Sequence, residues 1–98
     1  MILEMASLKI QPGQAQNFEA AFLQAEHVIA SSPGHLSHQL QRSLDVANHY
    51  MLLVQWRTLE DHVVGFRESP LFVEWRRRLG PFFAAPPEVE HYELFGGS

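Results

Sequence analysis

His62 and the aromatic residues around it are the side chains in this sequence best suited to chemistry. A neutral imidazole accepts a proton near pH 7 or polarises a substrate oxygen, so His62 is a candidate general base or orienting donor. Counted from Leu59, His62, Val63 and Phe66 follow at three, four and seven positions, the spacing of one helical face, which turns the His62 ring toward an apolar partner rather than water. Across such a pocket it can meet His38 and Trp56, and His38 is the second candidate for proton transfer. Trp56, Phe66, Phe72 and Trp75 supply rings that can wall a cavity for a flat aromatic substrate. Core packing is the simpler reading for Phe72, Trp75 and Leu79, which recur at helical offsets. Tyr50 and Tyr92 can each donate a hydrogen bond to a phenolate-like oxygen.

Other chemistries are poorly served. Six histidines invite a metal reading, but His35-x-x-His38 would place its rings on opposite faces of a strand, and His27, His49, His62 and His91 come from separate segments without carboxylates at ligand spacing. No cysteine is present, which removes disulfides, thiolate ligands and thiol nucleophiles. Neither a glycine-rich phosphate loop nor a nucleophile elbow occurs. A net charge of −4 argues against nucleic acid as a partner. The cluster Arg67, Arg76, Arg77 and Arg78 reads as a solvated helix end, where cations complement the macrodipole. No stretch is apolar enough to span a bilayer and the start lacks a leader, so a soluble cytoplasmic protein is expected.

With 98 residues, 46% of them hydrophobic, the chain is expected to form one domain, residues 1–98. Residues 2–10 alternate as a strand with Ile2, Ala6, Leu8 and Ile10 on one face, interrupted by Glu4. Pro12-Gly13 ends it, and Ala15, Phe18, Phe22, Ala25 and Ile29 mark one stripe of a helix over 14–30. Ser31-Ser32-Pro33-Gly34 stops that helix. Residues 34–43 and 49–56 flank a polar break at 45–48 and read as a β-hairpin. Thr58 can cap the next helix, with Asp61 placed as in a capping box, and Ser69-Pro70 can open another that runs to about Leu79. Residues 89–95 form the last strand. The order is βαββαβ, an α+β ferredoxin-like fold with an antiparallel sheet and both helices on one face.

A hairpin centred near Val46 puts Leu36, His38, Leu40 and Arg42 on the same face as Trp56, Val54, Leu52 and Tyr50, and this more apolar set should meet the helices. Ser37, Gln39, Gln41, Gln55, Leu53 and Met51 form the opposite, mixed face. A slip of one residue would exchange the two sets.

The Pro12-Gly13 turn with Phe18, Pro33-Gly34 before the second strand, and the block from Trp56 through His62 to Ser69-Pro70-x-Phe72-x-x-Trp75 together resemble the antibiotic biosynthesis monooxygenase family, within the dimeric α+β barrel superfamily. The resemblance implies a homodimer in which two sheets close a barrel through their open faces. It also implies a cofactor-independent monooxygenase, free of metal and flavin, that oxidises an aromatic or polyketide-like small molecule with molecular oxygen through a substrate carbanion. His62 and Trp56 fall on motif positions. Heme-degrading relatives look similar through Ser69 and Phe72, but Arg76, Phe66 and Ala6 stand where they carry their heme ligand and pocket residues, so heme is not expected. The alternatives are a dimeric ligand-binding or stress-associated protein without turnover, and a relative of enzymes that process a quorum signal.

Overall fold

In a computed structural model, which describes residues 1–97, the chain forms β1 (Ile2–Lys9), α1 (Ala15–Ala30), β2 (His35–Arg42), β3 (His49–Trp56), a π-helical segment (Asp61–Phe66), α2 (Pro70–Leu79) and β4 (Glu88–Glu93). The strands make one antiparallel sheet in the order β2-β3-β1-β4, the ferredoxin-like arrangement, with the helices against one face. Strict alternation in β3 explains the layering, because Tyr50, Leu52, Val54 and Trp56 are all buried while the residues between them are half-exposed. In α1 the buried stripe is Phe18, Phe22, Ala25, Val28 and Ile29. Phe22 meets Trp75 of α2 edge-on at 5.9 Å, and Phe18 meets Tyr50 of β3 at 5.0 Å, so helices and sheet close on a single aromatic core.

The hairpin register is the expected one over most of its length: His38 opposes Val54, Leu40 opposes Leu52 and Arg42 opposes Tyr50. It breaks at the start of β2, where a bulge leaves Leu36 without a partner and sets His35 opposite Trp56. One extra residue reverses the parity of the strand beyond it. Leu36 is consequently exposed, and His35 and His38 share a face instead of lying on opposite ones, with His35 Nε2 2.8 Å from His38 Nδ1.

Three further expectations needed revision. The segment after Thr58 is wound as a π-helix, with Arg67 N–H donating to His62 O; this wider turn keeps His62 and Phe66 buried but lets Leu59 out to solvent. Thr58 Oγ1 does accept the Asp61 N–H at 3.1 Å, while the Asp61 carboxylate receives Arg57 at 3.1 and 3.2 Å. Ser69 opens α2 through its extended backbone alone, because its hydroxyl donates backward to Phe66 O at 2.6 Å. The last strand stops at Glu93, leaving Leu94 and Phe95 fully out in solvent.

Gly34 ties the bulged strand to the π-helical segment. Its φ is +88°, and a Cβ added there would come within 2.3 Å of Asp61 Cγ. Glycine is required on both counts.

Candidate functional site

Glu4 is the residue around which the site is built. Alternation in β1 places it on the helix-facing side between Ile2 and Ala6, and the sheet sets it opposite Val54 on one side and His91 on the other. The residue is 5% exposed, which no carboxylate tolerates without partners. Trp56, at the end of β3, donates its Nε1–H to Glu4 Oε1 at 2.9 Å. His62 Nε2 lies 3.2 Å from the same oxygen, and His62 Nδ1 is 2.8 Å from His91 Nε2. The His62 ring stacks on Trp56 with centroids 5.1 Å apart and planes 15° from parallel, which fixes its orientation. Three elements and the π-helical turn thus deliver one indole, one carboxylate and two imidazoles to a common point.

Glu4 and His62 form the polar corner of a cavity of about 680 Å³ between sheet and helices, and Trp56 and His91 hold them from outside its lining. Its apolar walls include Ala6, Leu52, Phe66, Phe72 and Trp75, its rim is the loop from Phe83 to Pro87, and Arg67 and Arg76 stand beside Glu4 and His62 in its lining. Arg76 extends over the Phe72 ring, its guanidinium carbon 5.7 Å from the centroid. A cavity of this size, mostly apolar with a few convergent polar groups, suits a drug-sized ring system.

Burial decides the protonation states. It raises the Glu4 carboxyl above its ordinary range, opposed by the Trp56 hydrogen bond and the Arg67 charge. Burial also lowers His62 to about 4, helped by the Arg67 and His91 charges, and lowers His91, again with Arg67 contributing. Near neutral pH both imidazoles are therefore uncharged, and the Glu4 carboxyl takes a proton more readily than a solvated one.

Of the residues singled out from sequence, His62, Phe66, Phe72 and Trp75 line this cavity, and Trp56 lies directly behind His62. Tyr50 and His38 are elsewhere. Tyr50 donates to Glu19 Oε2 at 2.5 Å, toward α1, and that burial and carboxylate push its phenol up to about 12. His38 lies on β2 with its Nε2 2.9 Å from Glu26 Oε1 and its Nδ1 against His35, whose ring meets Trp56 edge-on at 6.1 Å. Glu4, Arg67, Arg76 and His91 enter the site without having been chosen as site residues. The signal for Glu4 was present as the one charge breaking the apolar alternation of β1. Arg76 was hidden among its neighbours: Arg77 and Arg78 do pair with Glu74 at the solvated helix end, and Arg76 alone turns toward the cavity. Among the described residues no group of three or more histidines and carboxylates is placed to hold a metal ion.

Residues 1–78 match the antibiotic biosynthesis monooxygenase family. The uncharacterized protein YczJ of Bacillus subtilis (strain 168) is 42% identical over 93 residues, which span 95% of this chain and 98% of that protein. A crystal structure of a candidate antibiotic biosynthesis monooxygenase from Bordetella bronchiseptica superposes with a TM-score of 0.93 at 39% identity, covering 96% of each chain. The fold alone is shared with the monooxygenase ActVA-Orf6 of Streptomyces coelicolor, solved with nanaomycin D, at TM-score 0.81 and 22% identity over 99% of this chain and 89% of that one. On the match along its length and these relatives, the chain belongs to the antibiotic biosynthesis monooxygenase family.

Proposed function

We propose that the protein is a cofactor-independent monooxygenase that oxidises a hydroxylated aromatic small molecule in the cavity between sheet and helices. The observation that carries this reading is the Glu4–His62 couple set into the corner of a mostly apolar cavity of about 680 Å³. Such a reaction asks the protein for a base, a stabiliser of negative charge and exclusion of water. Glu4 with His62 supplies the base, Arg67 and Arg76 supply cationic stabilisation, and Phe66, Phe72 and Trp75 supply the dry wall. Removal of a phenolic proton gives an electron-rich ring whose carbon adds to dioxygen. The peroxide formed keeps one oxygen on the ring, and the other departs as water with the hydrogen from that carbon, so one hydroxyarene and one dioxygen become one quinone and one water. Family membership and the nanaomycin D held by the Streptomyces coelicolor structure support a small-molecule substrate, and the rings of Phe66, Phe72 and Trp75 in the cavity wall support an aromatic one.

We further propose that two copies associate through the open sheet face, where Leu3, Met5, Met51 and Leu53 lie only half-buried among polar neighbours. No helix among the described residues is long and apolar enough to cross a membrane.

The test is oxygen uptake by the metal-depleted protein with a panel of hydroxynaphthalenes and anthrones, followed by quinone absorbance. Uptake of one dioxygen per quinone supports the reading. Tight binding of these compounds without oxygen uptake by any of them would replace it with the non-catalytic ligand-binding alternative.

A further inference from the structure

We infer that Glu4 is the group that receives the substrate proton, and that His62 and His91 form a two-imidazole wire carrying that proton from the buried carboxylate to solvent. The inference rests on the oxygenase reading for its substrate and on geometry for the wire. Glu4 Oε1, His62 Nε2, His62 Nδ1 and His91 Nε2 lie in sequence, with gaps of 3.2 and 2.8 Å between the groups. His91 is half-buried at the sheet edge formed by β4, and its Nδ1 has no protein hydrogen bond among the described residues. The wire therefore has a dry end in the cavity and a wet end at the edge of the sheet.

Two proton arrangements satisfy the same heavy atoms. With Glu4 ionised, His91 Nε2–H donates to His62 Nδ1, and His62 Nε2–H points to the carboxylate. With Glu4 protonated, its O–H points to His62 Nε2, His62 Nδ1–H donates to His91 Nε2, and His91 carries its hydrogen on Nδ1. The second arrangement holds one proton more than the first. Discharge moves the Glu4 proton to His62 Nε2, the His62 Nδ1 proton to His91 Nε2, and the His91 Nδ1 proton to water, which restores the first arrangement. No imidazolium persists at either end of the cycle, in keeping with two histidines whose surroundings disfavour the charged form. Trp56 Nε1–H holds Glu4 Oε1 in place in both states. The other charged groups near the relay are Arg67, after the π-helical segment, whose charge acts on Glu4, His62 and His91, and Arg76 of α2, which shares the cavity lining; β3 contributes the indole of Trp56 and Leu52, α1 contributes Ile29, and His35 of β2 meets Trp56 edge-on. The Arg67 charge and the Trp56 hydrogen bond favour the ionised carboxyl against the burial that raises it.

His91 acts through His62 and is a positioning residue. Ring 15N NMR of the ligand-free protein, followed through the titration of Glu4, reads the wire without any turnover. We expect His62 to remain singly protonated and to swap from Nε2–H to Nδ1–H as Glu4 titrates. The swap should be absent in Glu4→Gln and lost in His91→Phe. A His62 that holds one tautomer throughout, that becomes doubly protonated over this range, or that still swaps unchanged in His91→Phe overturns the wire. Should His91→Phe fail to fold, His91→Gln preserves the hydrogen bond but cannot shuttle a proton: turnover falls at least tenfold at unchanged KM if the wire operates, and stays at the wild-type level if His91 is only a structural support, which also overturns it. Absence of oxygen uptake by the wild type would remove the oxygenase reading and leave the tautomer result standing.

Discussion

Glu4 and His62 have opposite linkage to folding, which makes their contact measurable by stability alone. His62 titrates near 4 when folded and near its ordinary 6.5 when unfolded, so the unfolded chain binds more protons between those values and stability rises with pH across that window. The span corresponds to roughly 3 kcal/mol at most. Glu4 is raised above its ordinary 4.5, so the folded chain binds more protons and stability falls as pH climbs through the folded value. Urea melts of His62→Gln should therefore lose the rise between pH 4 and 6.5, and melts of Glu4→Gln should steepen it; parallel pH curves for both variants and wild type would count against the pairing. Trp56→Phe removes the hydrogen bond that favours ionised Glu4 as well as part of a fully buried ring. It should cost roughly 2–4 kcal/mol, more at pH 8 than at pH 5, because the lost bond stabilises the charged form.

At the scale of elements, the bulge in β2 and the π-helical turn decide which histidine reaches the cavity. Gly34 lies between them, and Gly34→Ala should cost at least 1–3 kcal/mol in urea unfolding from the left-handed backbone alone. The clash with Asp61, which Arg57 holds in place, adds to that. A change below about 0.5 kcal/mol would mean the turn is not fixed as described. Element order, hairpin register and the buried stripe of α1 were legible in the sequence, since each follows from a local period of apolar residues. The bulge was not, because no residue type between Gly34 and His38 announces it, and its consequence is that His35 rather than Leu36 faces inward. The site was half legible for a related reason. The apolar rings Phe66, Phe72 and Trp75 follow helical spacing, whereas the pairing of Glu4 with His62 and His91 joins the first strand, a loop helix and the last strand, and that contact exists only once the sheet has been assembled in its 2-3-1-4 order.

The whole molecule presents one covered and one bare sheet face. Leu53 sits in the middle of the bare one, opposite Met5 on β1 and Gln39 on β2. If two copies pair there, light scattering of the wild type gives twice the chain mass, and Leu53→Lys, which sets a charge in the centre of the interface, shifts it to monomer while leaving the fold intact by circular dichroism. A monomeric wild type would contradict the pairing. The cavity lies on the other side of the sheet, so loss of the dimer should leave the polar corner itself assembled within each chain.

The measurement that tests the central claim most directly is turnover under 18O2 of the hydroxyarene that best supports oxygen uptake, with wild type and Glu4→Gln compared after metal depletion. One labelled oxygen in the quinone and one in water, with at least a hundredfold loss in Glu4→Gln, is the expected result. Quinone formed at the wild-type rate by Glu4→Gln, or quinone oxygen derived from solvent, would contradict an oxygenation driven by the carboxylate and imidazole at the cavity's polar corner.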